Sequence, residues 1–244
     1  MKDQIIILAA GKGTRLNHES LPKVLVLFRG QPLIKHLLLR ISKIIQSTKP
    51  IVVVGFMAEK VKATLGNRFE YVLQEPQLGT AHAVRAAKEK IKAENVLVLY
   101  GDMPFITEGS LRKLIRMHHD EKANLSMFTA TVPNFENEFA GLLHYGRIIR
   151  SFNKEFVKIT EFKDASDAEK NIKELNTGIY MFNSQWLWKN IKKIKNKNVQ
   201  KEYYLTDIVE IAIEQKEKIY SLAIDPKEVI GINSKEDLER VESR

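Results

Sequence analysis

The sequence predicts an α/β fold: a Rossmann-like, doubly wound, mixed and mainly parallel sheet with a small β-rich lobe. Three observations carry that reading. Four apolar runs of strand length, Gln4 to Ala9, Ile51 to Val54, Phe69 to Leu73 and Asn95 to Tyr100, fall in the first hundred residues. Helical segments separate them, and such alternation is how a chain builds a parallel sheet covered on both faces. The first and fourth runs lead into glycines, Gly11 and Gly101, at the carboxyl edge where open α/β sheets bind their ligands.

Taken in order, Gln4 to Ala9 is isoleucine-rich and too short for a free-standing helix, so it reads as a buried strand. Val24 to Phe28 is apolar again. Gln31 to Gln46 places Leu33, Ile34, Leu37, Leu38, Ile41, Ile44 and Ile45 at helix spacing on one broad face, with Pro32 suited to the first turn. Ala58 to Leu65 reads as a short helix and Gly79 to Ile91 as an alanine-rich one. In the second half, Leu125 to Val132, Gly141 to Phe152 and Phe156 to Phe162 alternate like strands, and Leu175 to Phe182 is another. Trp186 to Ile194 and Tyr203 to Ile213 read as helices, and Ile219 to Ile224 as the last strand. Val229 to Asn233 then reaches back. Ser234-x-x-Asp237 has the form of a capping box opening a terminal helix. Asn233 also fits a plain turn residue before that cap.

Composition narrows the class. At 244 residues, 44% hydrophobic and 28% charged, the chain has the make-up of a soluble globular protein able to bury a substantial core. No apolar run approaches membrane-spanning length, and the N-terminus runs straight into the first strand, so a cytoplasmic protein is expected. Without cysteine there is no disulfide, thiolate metal site or thiol nucleophile. The net charge of +9 raises nucleic-acid binding, but the lysines are spread along the chain and mixed with glutamates. Their densest cluster, Lys189 to Lys201, reads as solvated surface, and no helix-turn-helix, zinc-finger or RNA-binding pattern is visible.

The chemistry concentrates in Leu8 to Lys23, LAAGKGTRLNHESLPK. Gly11 and Gly13 bare backbone N–H groups able to cradle phosphate oxygens, with Lys12, Arg15 and Lys23 nearby. A P-loop needs a longer glycine spacing, and a dinucleotide fingerprint needs glycine where Leu16 stands. A glycine-rich strand-to-helix turn with solvated basic side chains also fits. In the order 3-2-1-4 the first and fourth strands are neighbours, so Asp102 projects into the same crevice. There it reads as a metal ligand facing phosphate or as an ordinary Gly-Asp turn.

What remains, G-x-G-T-R followed by Pro22-Lys23, resembles the signature of the sugar-nucleotide pyrophosphorylases. The pieces LAAGKGTRL, LPKVL, QLGTAHA, YGDMP, YGRI, TEFKDA, ELNTGIY, EYYLTD and GIN are similar, in order and over nearly the whole chain, to the uridylyltransferase half of bacterial N-acetylglucosamine-1-phosphate uridylyltransferases. The resemblance implies the nucleotide-diphospho-sugar transferase fold and a single domain. Residues 1–120 would form its nucleotide-binding half, 121–233 its sugar-binding part and 234–244 a C-terminal helix. It implies UTP and a hexosamine 1-phosphate as substrates and Mg2+ as cofactor, with no specific nucleic acid and no membrane. Nucleotide contacts carry over to Leu8, Ala9, Ala10, Gly11, Gly13, Gln74, Gly79, Thr80, Tyr100 and Gly101. Arg15, Lys23 and Asp102 would be catalytic, with Arg15 and Lys23 facing phosphate. Asp102 and Asn233 would hold the metal, and Gly146, Glu161 and Asn176, beside Asn233, the amino sugar. On their own chemistry, Gln74 offers the donor and acceptor that a uracil edge needs, Gly79 allows close approach, and Thr80 suits a helix cap. A plain capped loop fits them equally, and His82 reads as a packed helix residue.

Three departures from the family are expected to matter. The loop between Arg15 and Pro22 is slightly longer. His144 stands where a glycine is usual. The hexapeptide repeats of the bifunctional members are absent, so neither acetyl transfer nor their trimer is expected of 244 residues, and a monomer or dimer is favoured. Uridylyl or cytidylyl transfer to another sugar 1-phosphate or phospho-alcohol stays open, as does a non-catalytic sugar-nucleotide-binding protein.

Overall fold

The computed structural model describes residues 2–13, 21–44 and 48–242. Its first element, β1 (Asp3–Ala9), is buried along its whole length. The continuous apolar run has a simple cause: Ile6 and Leu8 enter the core on one face of the sheet, Ile5, Ile7 and Ala9 that on the other. Two short strands, β2 (Leu27–Phe28) and β3 (Gln31–Pro32), pair as a hairpin before α1 (Leu33–Ile41). That helix is shorter than the apolar spacing predicts, with Pro32 at its N-cap and Leu33, Ile34, Leu37 and Ile41 facing inward. The rest of the half is β4 (Ile51–Val54), α2 (Ala58–Leu65), β5 (Glu70–Leu73), α3 (Thr80–Ala86), β6 (Asn95–Tyr100) and α4 (Glu108–Asp120).

The second half runs β7 (Leu125–Thr131), β8 (Arg147–Arg150), β9 (Phe156–Thr160), α5 (Asp167–Lys170), β10 (Glu174–Asn183), α6 (Ser184–Asn190), α7 (Ile208–Glu214), β11 (Ile219–Ile224) and α8 (Lys235–Glu242). One sheet takes strands from both halves, in the order β11-β7-β10-β6-β1-β4-β5, with β8 pairing with β10 and β9. The segment β5-β4-β1-β6 is parallel throughout, which is the predicted 3-2-1-4 order. β10 is antiparallel to both β6 and β7, so the sheet is mixed. The described residues contain no helix long and apolar enough to cross a membrane.

Four readings need correction, two of them helices that break: α6 gives way to a 3-10 turn at Ile191–Lys193 within the expected Trp186 to Ile194, and of the expected Tyr203 to Ile213 only a 3-10 turn at Leu205–Asp207 and then α7 from Ile208 form. Gly141 to Phe152 is not a continuous strand: residues Asn137–His144 form a 3-10 helix that buries Phe139 and Leu142, and β8 begins only at Arg147. Gly79 to Ile91 is likewise broken, α3 ending at Ala86 and giving way to a 3-10 turn at Lys88–Lys90. The capping box at the chain's end does form. Asp237 Oδ2 accepts from the Ser234 amide (3.0 Å), and Ser234 Oγ accepts from the Asp237 amide (3.1 Å).

Candidate active site

Winding reverses between β1, β4 and β6, and a cavity of about 370 Å³ opens at the carboxyl ends of those strands. The first loop contributes Leu8, Ala9, Ala10, Gly11, Gly13 and Lys23; Gln74, Gly79 and Thr80 form the facing wall, and Tyr100 and Asp102 the floor. Gly101 lies beneath it, its amide donating to Leu8 O at 3.0 Å. A second cavity of about 170 Å³ shares Tyr100 and Asp102 with the first and is bordered by Gly146, Glu161, Asn176 and Asn233. The residues assigned to nucleotide and to sugar therefore fall into two adjoining chambers. Arg15 lies outside the described residues.

Lys23 stands where the chambers meet. Its Nζ donates to Asp102 Oδ2 and to Asn233 Oδ1 (2.5 Å). Two backbone arrangements set this up. Gly13 has φ +69°, and a Cβ there would come within 2.6 Å of Lys23 Cβ, so only glycine lets the loop pass. The returning segment then donates from Ile232 N–H to Asp102 O (3.1 Å), which places Asn233 beside Asp102.

The nucleotide wall differs in detail from expectation. Gln74 is buried, and its Nε2 donates to Gly79 O (2.9 Å) and faces His82 Nδ1 (3.2 Å). Burial and the nearby Arg85 lower the His82 pKa, which favours the neutral ring as acceptor. Gln74 thus spends its donors inside the protein and has its Oε1 left to offer a base. Gly79, not Thr80, is the N-cap of α3, and Thr80 Oγ1 instead accepts from Leu205 N–H (2.9 Å).

In the second chamber, Asn176 Oδ1 accepts from Gly178 N–H (3.1 Å) and Tyr180 Oη (2.9 Å), which turns Nδ2 into the group available to a ligand. Glu161 Oε1 accepts from Thr206 Oγ1. Burial raises the Glu161 pKa, the Thr206 hydroxyl opposes that, and Asp164 adds to it. Sequence reasoning missed Tyr180 and Thr206. Thr206 lay within a quoted motif, but nothing in its spacing announces a partner 45 positions away.

Reasoning also missed Arg147, a fully buried side chain. Its guanidinium donates to Leu143 O (2.8 Å), to Tyr145 O and twice to Lys170 O (3.1 and 3.0 Å), between the rings of Phe135 and Phe162. It holds the loop that carries His144 and Gly146 into the second chamber.

Asp207, also unforeseen, is pushed up to about 7 from an ordinary 3.8 by burial and by Glu210, Glu161 and Asp164. Between those values the folded chain keeps a proton that the unfolded chain releases, so this group makes stability fall as pH rises from about 4 to about 7. Asp207→Asn removes that loss. The melting temperature of the wild type minus that of the variant is expected to drop across this window; a difference flat with pH contradicts the assignment.

Residues 5–157 match the model of the MobA-like NTP transferase domain. The chain belongs to that family. It is 40% identical over 99% of its length to bifunctional protein GlmU of Brevibacillus brevis, and 42% identical over its whole length to that of Streptococcus uberis. It spans about half of those relatives, 51% and 52% of their lengths. Among solved structures, a putative glucose-1-phosphate thymidylyltransferase from Bacillus anthracis superimposes with a TM-score of 0.77 at 20% identity, covering 99% of this chain and 94% of that one. CMP:2-keto-3-deoxy-manno-octonic acid synthetase, complexed with CTP, gives 0.68 at 16%, covering 100% and 98%. Both are nucleotidyltransferase folds, and this chain shares that architecture.

Proposed function

We propose that this chain transfers a uridylyl group from UTP to N-acetylglucosamine 1-phosphate, releasing pyrophosphate and forming UDP-N-acetylglucosamine. One observation carries the reading: two chambers adjoin at Tyr100 and Asp102, with Lys23, Asp102 and Asn233 bonded together at their junction. A donor in the first chamber and an acceptor in the second would meet there. The family match and the similarity to GlmU proteins support it.

The acceptor's phosphate oxygen attacks the α-phosphorus in line, and the P–O bond to pyrophosphate breaks. Catalysis then rests on position and charge rather than on a protein nucleophile. The Gly11 to Gly13 backbone receives phosphate oxygens, Lys23 supplies positive charge at the junction, and Arg15 is assigned to the departing pyrophosphate. Gln74 Oε1 accepts from uracil N3–H. Asn176 Nδ2 and the Glu161 carboxylate oxygens position the sugar.

The Asp102 and Asn233 oxygens converge on one point, filled here by the Lys23 ammonium. A pair of hard oxygen donors around a cation fits magnesium, which takes one or two protein ligands and the rest from phosphate and water. Among the described residues no group of three or more His, Asp or Glu side chains offers an alternative. When bound, magnesium supplies charge that neutralises the phosphates. Pyrophosphate release from UTP and magnesium with a panel of sugar 1-phosphates tests the reading. Turnover is expected to be fastest with N-acetylglucosamine 1-phosphate. Silence across the panel, from folded protein that binds UTP, overturns it.

A further inference from the structure

The transferase reading above leaves open how the second chamber recognises its acceptor, and one buried hydroxyl bears on it. Asn176 is buried and borders that chamber. Its Oδ1 meets the Gly178 N–H at 3.1 Å. A backbone N–H can only donate, so the amide oxygen stands at that point and Nδ2 on the opposite side. The Tyr180 hydroxyl meets the same oxygen at 2.9 Å, and it therefore donates as well. Tyr180 is fully buried, its ring stacked on Phe182 with centroids 5.5 Å apart, so it sits behind Asn176 rather than in the chamber's wall. Burial, with Tyr100 and Glu161 close by, pushes its pKa up, and the hydroxyl keeps the proton it donates. The first chamber clamps its own primary amide in the opposite sense: Gln74 turns Nε2 inward, to Gly79 O and His82 Nδ1. One chamber thus meets its ligand with an amide oxygen, the other with an amide nitrogen.

We propose that Tyr180 is a positioning residue for the acceptor: through Asn176 it holds an amide N–H towards the second chamber, which then selects an acceptor that presents a lone pair there, the carbonyl oxygen of an N-acyl group, over one that presents only donors. The proposal rests on the transferase reading. Gly178 alone leaves Oδ1 with one donor for its two lone pairs; Tyr180 supplies the second and closes the clamp. An amino sugar without its acyl group carries an ammonium at that place, which has N–H donors and no lone pair, so donor would face donor. Glu161 borders the same chamber, but it is unchanged between the proteins compared below, and its effect on an ammonium cancels from their ratio.

The test measures kcat and KM for UTP, N-acetylglucosamine 1-phosphate and glucosamine 1-phosphate in the wild type, Tyr180→Phe, Asn176→Ala and the double variant. Phenylalanine keeps the ring and its stack on Phe182 and removes only the hydroxyl. Tyr180→Met, which also lacks the donor, replaces it if that variant fails to fold. Tyr180→Phe is expected to raise the KM for N-acetylglucosamine 1-phosphate about five- to tenfold, the scale of one lost hydrogen bond, and to leave the KM for UTP unchanged. The preference for the acylated acceptor over the amine is expected to narrow by a similar factor. In the Asn176→Ala background the same substitution is expected to change neither quantity, because the hydroxyl acts through that amide. A wild-type KM for the sugar phosphate in Tyr180→Phe overturns the proposal. So does an equal rise for UTP, an unchanged preference, or a full effect of the hydroxyl in the absence of Asn176. No turnover of any acceptor by the wild type overturns the transferase reading itself.

Discussion

Asp102→Ala is expected to lower kcat about 10²–10³-fold in a chain that stays folded, the scale for removing one preorganised charge contact. Asp102 holds the junction of the two chambers, where its carboxylate receives Lys23 beside Asn233. The backbone carbonyl that anchors the returning segment through Ile232 is untouched by the substitution. Asp102→Asn keeps the shape and loses the charge, so it should be nearly as impaired. Steady-state pyrophosphate release with circular dichroism as the folding control checks both. An alanine variant within a few-fold of the wild type would move the chemistry away from this junction.

The largest loss of stability is expected at Arg147. Among the described residues it has no carboxylate partner; its charge is met by the carbonyls of Leu143, Tyr145 and Lys170. Arg147→Met fills the space but strands those carbonyls without water, which should cost about 3–5 kcal/mol. For a chain of this size that corresponds to a fall in melting temperature of roughly 6–20 °C. Arg147→Lys should rescue little, because one ammonium cannot span three carbonyls as a planar fork does. At temperatures where the variant is folded, the KM for the sugar phosphate should rise more than that for UTP, since the loop Arg147 ties carries Gly146 and His144. Thermal melts and a two-substrate kinetic comparison read these effects.

The parallel half of the fold was legible because its inner strands β1, β4 and β6 are buried on both faces, leaving apolar runs such as IIILA with little ambiguity. Strand order put Asp102 next to the glycine loop, but Asn233 lies 131 positions further on, and only its motif suggested the meeting. Arg147 escaped for a physical reason: a basic residue in an alternating segment reads as solvent-facing, and nothing local announces that it will be closed in by Phe135 and Phe162. The Asn176–Tyr180 pair escaped as well. β10 shifts register between those residues, and Gly178 adopts φ +75°, so the Tyr180 hydroxyl reaches a side chain that strand periodicity keeps apart. α4 was also absent from the expected elements, although Thr107 caps it by accepting from the Ser110 amide at 3.2 Å. Its buried stripe is narrow, and one of its members is His118.

Direct transfer between the two chambers has a stereochemical signature at phosphorus. The most direct measurement incubates the protein with one diastereomer of UTP carrying sulfur at the α-phosphorus, together with N-acetylglucosamine 1-phosphate, and determines the configuration of the product by phosphorus NMR. A single in-line displacement predicts a UDP-sugar with inverted configuration. Retention would require a covalent uridylyl-protein intermediate and would contradict direct attack at the junction of Lys23, Asp102 and Asn233.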